Sequence, residues 1–162
     1  MKAADYVSHL NLQAHPEGGY FAETFRSNLV MEPSGFPGPR AASTAIYFLL
    51  EQGQFSALHR IKSDEVWHFY DGQALDIFEI EDNGESRITR LGRNISSGEC
   101  LTHVVKAGVW FGSRPSQGTE FSLVGCTVAP GFDFADFEMP SKGWFLEVFP
   151  QHAGLISGMS RD

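Results

Sequence analysis

The chain has 162 residues, of which 42% are hydrophobic, 20% are charged and 14 are Phe; this is enough apolar material for a folded domain and far from a disordered composition. A formal net charge of −8 with no Lys/Arg stripe excludes a nucleic-acid-binding surface. No stretch approaches a membrane span, residues 1–11 lack the apolar run of a signal peptide, and Cys100 and Cys126 stand in neither a CxxC nor a metal-type spacing, so a reduced, cytoplasmic protein is expected.

Tyr6, Val7 and Leu10 fall at helical spacing and predict a short helix within residues 3–12. His15-Pro16-Glu17-Gly18-Gly19 lacks the metal-ligand or phosphate-cradle spacing that would give it chemistry; it reads as a turn that sets the register of a strand from Tyr20 to Ser27 and closes one end of the pocket. A Pro/Gly-rich loop over 32–39 leads to a buried strand, Ser43 to Leu50. Short strands then recur at Phe55–Ile61, Glu65–Tyr70, Leu75–Ile80, Ser86–Leu91, Leu101–Lys106, Val109–Phe111 and Glu120–Val128. Gly72, Asn83-Gly84, Gly92 and Ser97-Gly98 mark turns between them. The acid-rich run Glu79-Ile80-Glu81-Asp82 reads as a solvated hairpin tip. Phe134, Phe137 and Met139 form an apolar segment expected to pack over the strands, and Pro150 opens a final helix with Leu155, Ile156 and Met159 as its apolar face. That rhythm of short strands implies an all-β sandwich or barrel, in a chain with no internal repeat and no dividing linker.

Between Gly53 and Gly72 the chain reads Gly53, five residues, His59, one residue, Ile61, three residues, Glu65, six residues, Gly72. Side chains alternate across a strand, so His59 and Ile61 share a face and a hairpin can return Glu65 and Trp67 to the same interior side. This pattern resembles the first motif of the cupin superfamily, in which two His and one Glu converge on a metal. Ile61 stands at the second His position. In the stretch aligned with the second motif, Lys106-Ala107-Gly108-Val109-Trp110-Phe111, Phe111 stands at the fourth-ligand position. The His15–Tyr20 turn with Glu23, Thr24 and Arg26, the run Ser63–Gly72 and the run Val124–Phe132 extend the resemblance to a cupin branch long known only as a domain of unknown function. It implies a cupin-type double-stranded β-helix (jelly-roll) barrel over 1–162 with short N- and C-terminal helices, a homodimer, and a shape related to dTDP-keto-sugar epimerases.

His59 is the leading candidate for chemistry, as a neutral imidazole and general base, with Glu65 orienting it. Tyr47 or Tyr70 would serve as the opposing acid. Tyr47, Trp67 and Phe111 are candidate ligand walls, and barrel core is the competing reading for each. Arg26 shares the parity of Tyr20 and Thr24 and is a candidate anchor for a carboxylate or phosphate, set against a salt bridge to Glu23. Cys126, on an apolar strand, reads as an inert buried thiol, and His68 should point out of the barrel. Three functions follow: a metal-independent isomerase or epimerase acting on a sugar or sugar nucleotide, a non-catalytic small-ligand sensor, and a metal enzyme. No cofactor is expected; a divalent transition metal, if one bound, would use His59 and Glu65.

Overall fold

The period-two alternation of the sequence closes into two antiparallel sheets packed face to face. The computed structural model describes residues 1–162. The chain begins with α1 (Ala3–His9) and a short strand β1 (Gln13–Ala14), followed by β2 (Tyr20–Arg26), a small hairpin of β3 (Val30–Met31) and β4 (Arg40–Ala41), and β5 (Thr44–Glu51). The barrel continues through β6 (Ser56–His59), β7 (Asp64–Gly72), β8 (Leu75–Ile80), β9 (Ser86–Leu91), β10 (Thr102–Val105), β11 (Trp110–Pro115) and β12 (Phe121–Ala129). The larger sheet has the order β1-β2-β5-β12-β7-β10 and the smaller β6-β11-β8-β9. None of the helices is long and apolar enough to cross a membrane.

Phe48, Leu50, Trp67, Ile77, Phe111 and Val124 fill the space between the sheets, all essentially buried. The smaller sheet is covered on its outer side as well. Leu58, Phe78, Ile80 and Trp110 pack there against Phe145, Phe149, Ile156 and Met159 of two C-terminal helices, α2 (Lys142–Val148) and α3 (Ala153–Met159). Every residue of β8 is therefore buried, as expected for a strand enclosed on both faces. The final helix expected after Pro150 begins as a 3-10 turn and becomes α3; α2, capped by Ser141, was not anticipated. At the other side, α1 lies over Leu49, Phe121 and Leu123 on the outer face of the larger sheet.

Two expectations from local pattern are corrected. Glu79 is 1% exposed, not part of a solvated tip, because it continues the inward parity of Leu75 and Ile77. Its carboxylate accepts from Arg87 Nε at 2.8 Å and Nη2 at 2.6 Å, and His103 Nε2 lies 2.7 Å away. Arg26 does not share the facing of Tyr20. A bulge between Glu23 and Phe25 shifts the β2–β5 register, so Tyr20 and Ala22 pack outward beside α1 while Arg26 joins Phe21 and Glu23 on the inner side. A single inserted residue inverts every parity argument beyond it.

Candidate functional site

A cavity of about 380 Å³ opens between the sheets at the end of the barrel where β2 meets the segment after β12. Its apolar wall comes from Phe21, Ile46, Ile61, Val128, Phe132 and Phe134, and its polar groups are His15, Glu17, Glu23, Arg26, His59, Glu65, Cys126 and Asp133. The volume lies toward the small end of ligand sites, about 300–1,000 Å³.

The deepest polar feature is built by the turn ahead of β2. Gly18 and Gly19 both have positive φ, and a Cβ on Gly18 would run into the Phe55 carbonyl oxygen, so only glycine permits this approach. The turn docks on the edge of β6, with Ala57 N–H donating to Glu17 O at 2.8 Å. That places Glu17, 6% exposed, against His59: Nε2 lies 2.9 Å from Glu17 Oε2, and Nδ1 lies 2.7 Å from Ala57 O. The Ala57 carbonyl can only accept, so Nδ1 carries a proton; with the Glu17 carboxyl held ionised, Nε2 donates to it as well, which makes His59 an imidazolium. Burial opposes that charge, but Glu17 (through its field and its hydrogen bond), the Ala57 carbonyl and Glu65 outweigh it and hold the His59 pKa above its ordinary value. Conversely, burial pushes the Glu17 carboxyl up, while His59 and His15 more than compensate and leave it below the usual range. The imidazolium is gripped between Phe111, 4.2 Å between ring centroids, and Phe137, stacked at 5.1 Å, a favourable setting for a cation. His15 is held below its ordinary pKa by burial, and its Nδ1 accepts the Glu17 N–H at 3.2 Å.

Glu65 enters the same cavity from β7, 8% exposed. It forms no ion pair, and the Cys126 thiol lines the cavity beside it. Burial pushes the Glu65 carboxyl up, His59 pulls it down, Glu17 raises it again, and it settles at about 7. Burial together with Glu65 raises the Cys126 thiol well above its ordinary value, so the sulfur stays protonated.

The sequence-selected residues separate into three groups. His59, Glu65 and Arg26 meet at the cavity. Trp67 and Phe111, each 1% exposed, pack edge to face as core beneath it rather than wall, with Phe111 touching the site through His59. Tyr47 and Tyr70 contact each other on the opposite face of the larger sheet, Tyr70 half exposed and stacked on His68, so neither tyrosine opposes His59. The role given to Glu65, hydrogen-bonding the imidazole, is filled by Glu17. The signal for Glu17 was a carboxylate inside a Gly-Gly turn, chemistry that spacing arguments within strands do not reach.

The family model described as Cupin superfamily (DUF985) matches residues 4–140. The chain belongs to that cupin family. This cupin is 30% identical over 142 residues, 80% of its own length and 71% of the other's, to the Uncharacterized protein YML079W of Saccharomyces cerevisiae. Among solved structures it is similar to protein SO0799 from Shewanella oneidensis, with a TM-score of 0.92, 40% identity and coverage of 99% of this chain and 98% of that one. A hypothetical protein from Leishmania major has a TM-score of 0.94 and 33% identity over the whole of both chains. In a metal-holding cupin the donors stand where this chain has His59, Ile61, Glu65 and Phe111. Here Ile61 and Phe111 are buried apolar side chains, both ring nitrogens of His59 are taken by Glu17 and Ala57, and no group of three or more His, Cys, Asp or Glu is arranged to hold a metal. The donor set does not fit a resident transition metal.

Proposed function

We propose that this cupin is a metal-independent acid–base enzyme of the isomerase or epimerase class, acting on a sugar-sized molecule that carries a carbonyl. The observation supporting it is the convergence of three ionisable side chains, Glu17, His59 and Glu65, each less than a tenth exposed, on one cavity large enough for a single ring. Burying such groups is expensive unless something uses them.

The division of labour differs from a His general base. With both ring nitrogens already donating to Glu17 and Ala57, His59 contributes its positive charge: the field of the imidazolium stabilises negative charge developing on the oxygen of a substrate carbonyl. Glu65 is the base. A carboxyl that ionises at about 7 is divided between its two forms at neutral pH, the condition under which proton transfer in both directions is most effective. Its carboxylate takes the proton from the carbon next to the carbonyl; the C–H pair moves into the enolate, whose oxygen His59 stabilises, and the proton is returned to carbon. Glu17 touches no reacting atom and is a positioning residue that keeps His59 charged and oriented.

The test is incubation in D₂O with a panel of free and nucleotide-linked keto sugars, read by NMR alongside thermal stabilisation. The expected result is solvent deuterium at the carbon beside the carbonyl, abolished in Glu65→Gln and strongly reduced in His59→Asn, with ligand-induced stabilisation retained. A ligand that stabilises the wild-type protein but never acquires deuterium would replace this reading with a non-catalytic sensor.

A further inference from the structure

Resting on the cavity as the ligand site, we infer that its ligand is a small polyol or amino-polyol bearing no phosphate or carboxylate, recognised through hydroxyl or amine donors. The cations around the cavity are already committed. Arg26 presents its fork to Glu23, Nε to Oε1 at 2.9 Å and Nη2 to Oε2 at 2.8 Å, with the Phe132 carbonyl oxygen 3.4 Å from both terminal nitrogens. Behind the same wall, Arg40 gives Nε and Nη2 to Asp136 at 2.7 Å each and Nη1 to the Pro39 carbonyl. His59 spends both nitrogens on Glu17 and Ala57, and no lysine lines the cavity.

What remains free is acceptor capacity. Glu65 is more than nine-tenths buried, faces the cavity and has no ion-pair partner. Asp133 uses one oxygen to accept the Ala135 N–H at 2.8 Å and forms no side-chain ion pair. A phosphate entering here would lose its hydration, find no unoccupied guanidinium fork and face two carboxyl groups, an arrangement that rejects anions. Hydroxyl and ammonium groups are what those acceptors can bind, while Phe132 and Phe134 line the cavity with apolar surface for the C–H side of a ring. Nucleotide-linked sugars are thereby disfavoured and free sugars or amino sugars favoured.

The full chain, labelled at Ile and Val methyls, is titrated with glucosamine, glucose and glucose 6-phosphate as probes, reading Ile46, Ile61 and Val128 in the cavity wall. Glucosamine and glucose should shift these methyls, and the phosphate ester should leave them unmoved. Glu23→Gln, which frees the Arg26 fork, should then admit the ester with at least about tenfold tighter binding, the gain from one charge-assisted pair. Shifts caused by the ester in the wild type, silence from all three probes, or an unchanged response in Glu23→Gln would each overturn the inference. Its failure is separable from that of the proposed reaction: deuterium incorporation into a phosphorylated substrate would sink the ligand class alone, and binding of free sugars without incorporation would sink the reaction alone.

Discussion

Replacing Glu65 by Gln should stabilise the protein above neutral pH, and the size of the gain follows from the site. The carboxyl ionises at about 7 rather than at its ordinary 4.5, chiefly because burial penalises the charged form. At about 1.4 kcal/mol for each unit of pKa, the ionised folded state is disfavoured by on the order of 3 kcal/mol relative to the unfolded chain. Because the folded pKa is raised, the favourable contribution of the neutral carboxyl is fully present below 4.5 and is lost as pH rises through about 7. A glutamine of nearly equal shape carries no charge to desolvate. The difference in unfolding free energy between Glu65→Gln and wild type should therefore be small at pH 4.5 and grow to about 3 kcal/mol in favour of the variant by pH 8. Urea denaturation at a series of pH values measures it, with unchanged m-values confirming that compactness is the same. A difference that stays flat across this range, or one that turns against the variant at high pH, would refute the argument that Glu65 is a desolvated, unpaired acid.

Glu17→Gln should strip His59 of its proton near neutrality, seen as a fall in the imidazole titration midpoint by NMR. The depressed Glu17 carboxyl supports the fold above its ordinary 4.5, and the raised His59 supports it fully below its ordinary 6.5. The loss should therefore be greatest between these values, at about 3 kcal/mol for breaking a buried pair, and shrink at higher pH. Gly18→Ala should destabilise the protein by roughly 1–3 kcal/mol and displace Glu17, so that His59 again titrates lower; an unaltered imidazole midpoint would count against the turn as the device that aims Glu17. Ile61→His combined with Glu17→Gln supplies a third donor and frees the His59 nitrogen. Cobalt should then give tetrahedral d–d absorption that Glu17→Gln alone lacks, and its absence would show that the cupin ligand geometry is not retained.

The all-β class and the strand positions are legible in the sequence because alternation is a local property: the recurring strands between turn residues and the placing of His59 and Glu65 on one inner side both follow from the pleat, while the order of strands in the two sheets does not. What escaped was set by non-local events. The extra residue near Thr24 turns Arg26 inward, and nothing in β2 itself announces it. Tyr47 faces away from the cavity because strand parity alone does not say which face the barrel encloses, and Ile46 takes the inward position. Acidic runs near turns are usually solvated, whereas Glu79 is buried, with the exposed Arg87 reaching over to it and His103 beside it. Most consequential is Glu17, 42 residues ahead of His59 in the sequence. It reaches the imidazole only because a Gly-Gly turn lets the backbone lie against β6, and that contact turns His59 from a candidate base into a buried cation.

Direct titration of the Glu65 side-chain carboxyl by carbon-detected NMR, assigned by its disappearance in Glu65→Gln, addresses the site most squarely. A midpoint at about 7, accompanied by an imidazolium signal from His59 that persists through neutrality, is the expected result. A midpoint near the ordinary 4.5 would mean that the carboxylate is solvated or paired, and the acid–base pocket described above would not exist.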